Sequence, residues 1–104
     1  MVALVAVGEH WPDGSLRPAV EDLWGAGAVA TALRGLGVGG LSPEAEHAAR
    51  AFDAVSRRLP AQLASCASGL ELVMDGFAAD VTLAAALDSS VAVPVLADGA
   101  FRDA

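Results

Sequence analysis

The 104-residue chain contains no lysine. Its six basic residues are all arginines: Arg17, Arg34, Arg50, Arg57, Arg58 and Arg102. Only Arg57 and Arg58 are adjacent, and they fall late in a helical pattern. A nucleic-acid backbone is held by clustered basic side chains. With a net charge of -7 and a pI near 4.4, the composition argues against nucleic acid as a partner.

Cysteine is nearly absent as well. The single Cys66 excludes an internal disulfide and a thiolate zinc site. It falls in an Ala-rich helical stretch, where a free cysteine behaves as a small buried hydrophobe. No run approaches the ~20 apolar residues of a membrane span. The first apolar run is short and has no basic residues before it, unlike a signal peptide. A soluble cytoplasmic protein is the expectation. There is no P-loop, no GxGxxG after a strand, no CxxC and no GxSxG. Gly35 to Gly40 is glycine-rich but follows a helix, the wrong context for a phosphate cradle.

What the chain has in excess is apolar surface. The hydrophobic share is 55% and the mean hydropathy +0.52. In one small domain this implies apolar surface that meets another chain or segment. The run Val2–Val7 is continuous, β-branched and apolar, and predicts a strand buried on both faces, as in a parallel sheet. Helices are predicted at about 18–36, 43–58, 60–66, 69–75 and 81–87, and a second strand at about 91–96. Ser42-Pro43-Glu44 carries a helix start: N-cap, proline at the first position, acid in the first turn. Ser68-Gly69-Leu70-Glu71 fits a capping box, and Asp80 can cap the following helix. Pro94 marks its strand as an edge or a bulge, and Asp98-Gly99 as a turn. The expected class is α/β, a partial three-layer α/β/α-type domain. Two strands cannot make a stable sheet alone, so the layer looks incomplete.

Polar chemistry concentrates in GEHWPDGSLRPAVED at residues 8–22. A buried strand that ends in a polar loop leading into a helix is where α/β proteins place their sites. Glu9 follows the strand directly; Glu21 and Asp22 occupy the first helical turn. Magnesium is held by one or two carboxylates, with water and phosphate completing its shell. A helix N-terminus offers backbone N–H groups to an anion, and Ser15 and Arg17 could add contacts to the same phosphate. Each residue has a plainer reading too. Acids in a first turn complement the helix dipole. Asp13 in Pro-Asp-Gly forms a turn. A lone His10 does not make a zinc site, and His47 lies on an outer helix face. Trp11 and Trp24 serve packing, and Arg17 can pair with a surface acid.

Four segments together resemble one family. They are GEHWPDGSLRPAVEDLWGAGAVATAL at 8–33, LSPEAEHAARAF at 41–52, CASGLELVMDGFAADVTLAAALDSS at 66–90 and VPVLADGAF at 93–101. In order and spacing they resemble the C-terminal part of 2-phosphosulfolactate phosphatases, the ComB family. The resemblance implies an α/β fold and Mg2+-dependent hydrolysis of 2-phospho-3-sulfolactate to sulfolactate and phosphate, on the route to coenzyme M. It implies that Glu9, Glu21 and Asp22 sit at or near the site, where the expected catalytic role of these acids is to ligate magnesium or support its bound water. Ser15 and Arg17 are the candidate substrate contacts. The sequence also departs from the family. The N-terminal half of the pattern, with an Asp-Val strand motif and an Asn-Gly-type loop, has no counterpart here. His10 stands where Arg or Lys is common, and Leu70 where Arg is common. The expectation is therefore a phosphatase-like chain impaired or inactive by itself. Two alternatives stay open. One is a non-catalytic α/β module that dimerises, as a homo-oligomer, or docks on a complementing chain. The other is a different small-molecule phosphate binder.

Overall fold

The computed structural model describes all residues from Met1 to Ala104. The elements, in order, are β1 (Glu9–His10), β2 (Leu16–Arg17), α1 (Val20–Gly35), α2 (Pro43–Val55), a 3-10 turn (Ser56–Arg58), α3 (Leu59–Ser65), α4 (Ala67–Met74), α5 (Ala78–Ala84), β3 (Pro94–Ala97) and β4 (Ala100–Asp103). This is a small mixed α/β protein. Its strands form two separate antiparallel ribbons, β1–β2 and β3–β4.

Local signals set most boundaries. Ser42 Oγ accepts the Ala45 N–H at 3.3 Å and starts α2, with Pro43 in its first turn. α1 ends where Gly37 takes φ +79°, and the Val38 N–H reaches back to the Leu33 carbonyl, as helix C-termini commonly close. At the chain's other end Asp98 and Gly99 both take positive φ, 51° and 77°. That is the conformation of a two-residue type I′ turn, the turn whose twist suits a hairpin. It pairs Ala97 with Ala100 and Leu96 with Phe101.

Several expectations are corrected. Val2–Val7 forms no strand: its residues are exposed and unpaired. A strand needs a neighbour for its N–H and C=O groups, and none of the strands lies beside this run. The second strand is Pro94–Ala97 rather than 91–96; proline at the first position of a strand gives up no ladder bond. The capping box at 68–71 is absent. Helix α4 begins at Ala67 with Cys66 as its cap residue and no side-chain cap bond. Asp80 lies inside the first turn of α5, which begins at Ala78. The second helix ends at Val55 and passes into the 3-10 turn.

The core lies between α1, α2 and α3. Trp24, Phe52 and Leu59 form its buried centre, with Val55, Leu63 and Cys66 against it. α1 and α2 approach closely because Gly27 faces the Ala48 backbone, flanked by buried Ala30 and Ala49. Arg34 ties the two helices at their rim, 2.8 Å from Asp53 and 3.7 Å from Glu46. The Asp53 hydrogen bond is the main cause that raises the Arg34 pKa above its ordinary value.

Only ten residues are buried. The accessible surface is 7573 Å2, where a compact monomer of this mass exposes about 5400 Å2. The radius of gyration is 14.9 Å, against about 13 Å for a compact chain of this length. The excess is apolar. Met1–Ala6 runs beside α1 and, with Leu33 and Val38, walls an unfilled cavity of about 760 Å3. Val95, Leu96 and Phe101 of the terminal hairpin are exposed. No helix is long and apolar enough to cross a membrane.

Candidate functional site

The polar loop folds back on itself. Pro12-Asp13-Gly14 makes the bend between β1 and β2. The Trp11 N–H donates to the Ser15 carbonyl and the Gly14 N–H to the Trp11 carbonyl, both at 2.8 Å. Asp13 Oδ1 accepts from the Ser15 N–H at 2.9 Å and from Ser15 Oγ at 2.6 Å. This is an Asx turn. The Ser15 hydroxyl bond is the first cause that holds the Asp13 pKa below the usual carboxylate range. The register sets Glu9 opposite Arg17 and His10 opposite Leu16.

Behind the loop, α1 begins without a side-chain cap and carries Glu21 and Asp22 in its first turn. Asp22 Oδ2 accepts the Gly8 N–H at 2.7 Å, which fixes the loop entry to the helix. Gly8 has φ +69°, a conformation that suits glycine. Cys66 Sγ lies 3.2 Å from the Leu63 carbonyl and 3.7 Å from Glu21 Oε2. The thiol is therefore a half-buried packing group beside an acid.

Glu9, Glu21 and Asp22 come together as walls of one cavity of about 380 Å3, between the loop, α1, α4 and α5. Asp80 and Ser68 line it too. The four carboxylates face no basic side chain within that lining. No three of the acids converge as a ready metal cluster. The donor chemistry nonetheless suits Mg2+, which takes oxygen ligands and needs only one or two protein carboxylates.

The two expected substrate contacts fall elsewhere. Ser15 is exposed and bound to Asp13. Arg17 is buried, its side chain 10% exposed, between Glu71 Oε2 at 2.9 Å and Glu9 Oε2 at 3.4 Å. Its guanidinium carbon stands 5.0 Å from the centre of the Trp11 ring, within cation–π range. The Glu71 hydrogen bond leads the causes that raise the Arg17 pKa. His10 and His47 are exposed. The sequence reading assigned Glu71 to a helix cap and gave it no place near Arg17. The pair is separated by 54 residues, and only the fold brings it together.

No family model matches this chain, and no curated protein or solved structure does either.

Proposed function

We propose that the chain corresponds to the C-terminal portion of a cytoplasmic, 2-phosphosulfolactate-phosphatase-like α/β protein, and that its carboxylate-lined cavity is one part of a Mg2+-dependent phosphate-monoester site. The observation that carries this reading is the cavity between β1, α1, α4 and α5. It gathers Glu9, Glu21 and Asp22 from two elements and offers no basic side chain in its lining. An anionic ester placed there meets the carboxylates of Glu9, Glu21, Asp22 and Asp80, of which Glu9 alone has a basic partner, Arg17 at 3.4 Å, so a divalent cation would favour its entry. One or two of Glu9, Glu21 and Asp22 would hold Mg2+, the rest of its shell coming from water and phosphate. The metal would supply charge neutralisation at the phosphoryl oxygens and a favourable setting for hydrolysis. The chain's own residues do the rest. The first N–H groups of α1, free of side-chain caps, suit an anion. Asp22 keeps the loop closed on the helix through Gly8.

The full reaction is hydrolysis of 2-phospho-3-sulfolactate, and this chain performs it weakly or not at all, because the cavity brings acids and no basic group to the ester. Phosphate release from 2-phospho-3-sulfolactate and from an aryl phosphate tests that statement. The expected rate with Mg2+ is close to background. Robust Mg2+-dependent turnover by the chain alone would overturn the impaired reading.

A second reading has its own observation. The chain exposes ~2200 Å2 more than a compact monomer of its mass, and Val2, Val5, Val7, Leu96 and Phe101 contribute to the exposed surface. That excess on one chain is well above the ~800 Å2 per partner of a standard interface and in the range of an obligate one. A module that dimerises or docks on a complementing chain, completing a three-layer α/β/α arrangement around Val2–Val7, follows from it. Sedimentation at micromolar concentration tests this reading: a strict monomer that binds no apolar dye contradicts it.

A further inference from the structure

The Val2–Val7 run is unlike the rest of the chain. No backbone hydrogen bond of the fold reaches it, and none of its side chains is polar or charged. Its free N–H and C=O groups stand beside exposed β-branched side chains, the combination that an added strand takes up. One face of the run already has a helix behind it. Leu4, the least exposed of its large side chains at 37%, and Ala6 line the large apolar cavity together with Leu23 and Ala26 of α1. Val5, at 78% exposed, has no such cover. A two-stranded ribbon is marginal in water by itself, and packing against a helix makes it stable. The run therefore lacks one thing only, a second strand.

We infer that a second copy of this chain supplies it, the two Val2–Val7 runs pairing antiparallel about a two-fold axis at Leu4. Resting on the reading of the chain as a module that lacks its partner, this pairing names the partner. Area supports a second copy. Each chain exposes ~2200 Å2 more than a compact monomer, and an obligate homodimer draws about 1000–2500 Å2 from each partner. The side chains support it too. An axis at Leu4 sets Leu4 opposite Leu4, Val2 opposite Ala6 and Ala3 opposite Val5, so a large side chain meets a small one on either side of the dyad. Charge sets the direction. Each copy carries -7, and the acid nearest the run is Glu9. Antiparallel strands hold the two Glu9 residues at opposite ends, ~30 Å apart at about 3.4 Å per residue, far beyond the screening length of about 8–10 Å. A parallel pair would set them side by side. The turn that follows sets the register. An axis at Val5 would draw Gly8 into the ladder, but the Gly8 N–H already goes to Asp22, and its φ of +69° leaves strand geometry.

Sedimentation velocity of the full chain at micromolar concentration, with disulfide trapping beside it, tests this. The expected species has twice the 10.4 kDa of the chain. Successive N–H groups of a strand point to opposite edges, so Val5→Pro combined with Ala6→Pro removes one from the shared edge whichever way the ladder alternates. Neither N–H is bonded within one copy, so the fold is expected to persist, with circular dichroism as the control, while the sedimenting mass halves. Trapping reads the register. In a Cys66→Ala background, Leu4→Cys is expected to link two copies under mild oxidation, because directly opposed residues lie about 4.5–5.5 Å apart. Val5→Cys meets its own copy only on the diagonal, about 7–8 Å away, and is expected to link at least about tenfold more slowly. A dimer that survives the double proline substitution, or faster linking through Val5→Cys than through Leu4→Cys, overturns this pairing while a dimerising module stands. A monomer that binds an apolar dye overturns the second copy and leaves a complementing chain as the occupant. A monomer that binds no such dye overturns the module reading, and the pairing with it.

Discussion

Two glycines of α1 stand two residues apart and answer to opposite physics. A methyl at Gly27 would run into the Ala48 carbonyl and lie 2.9 Å from Phe52 Cβ. A methyl at Gly25 would meet nothing within 4 Å. Both substitutions to alanine gain helix propensity, up to about 1 kcal/mol, and both narrow the unfolded ensemble equally. The difference between them therefore isolates the helix–helix contact. At Gly27 the obstruction is backbone, which cannot rotate aside. α1 and α2 must separate and loosen the packing of Ala30, Ala49 and Phe52. Overpacking of that kind costs about 1–3 kcal/mol, so Gly27→Ala is expected to lose ~1–2 kcal/mol net and Gly25→Ala to gain ~0.5–1 kcal/mol. A domain of this length shifts its Tm by about 4–8 °C per kcal/mol. Thermal unfolding followed by circular dichroism then separates the variants clearly, one below wild type and one above. If both rise together, the close crossing at Gly27 is wrong and the core described here with it.

The remaining expectations concern single contacts. Ser42→Ala removes the α2 cap and costs ~0.5–1 kcal/mol in urea unfolding, since its bond to the Ala45 N–H is long at 3.3 Å. Gly99→Ala places a methyl where φ is +77° and costs ~1–2 kcal/mol of local stability; amide exchange at Val95 and Ala97 should quicken while α1 stays protected. The Asp13 turn is sensitive to acid. Its pKa lies below the ordinary 3.8 because Ser15 donates to the carboxylate. A depressed carboxyl stabilises the fold above its unfolded value and loses that contribution as pH falls through its folded one. The Ser15 amide resonance should thus hold constant at neutral pH and titrate in acid with a midpoint below pH 3.8.

Much of this was legible from local sequence, and the misses have one origin. Ser42-Pro43-Glu44 and Asp98-Gly99 fix helix start and turn within four residues, and both form as expected. Val2–Val7 has the composition of a strand, but a strand is defined by a neighbour, and composition carries no information on whether one is present. The same limit governs the site. Glu9, Glu21 and Asp22 stand at a loop end and in a first helical turn, both local features, and the fold sets all three on one cavity. Arg17 looked free for a phosphate because its second partner, Glu71, is 54 residues away. Glu71 itself was hidden by a competing local explanation, since Ser-x-x-Glu satisfies the capping-box spacing whether or not the box forms.

The proposal to test is that carboxylates of the Glu9, Glu21 and Asp22 cavity would bind a cation on which phosphate-ester binding depends. Calorimetric titration of 2-phospho-3-sulfolactate into the chain, with Mg2+ and then with a chelator, tests it most directly, with Glu9→Gln alongside. The account predicts heat of binding with Mg2+ only, lost or weakened at least tenfold in Glu9→Gln, which corresponds to about 1.4 kcal/mol. Binding that survives the chelator, or that is the same in Glu9→Gln and wild type, would contradict it.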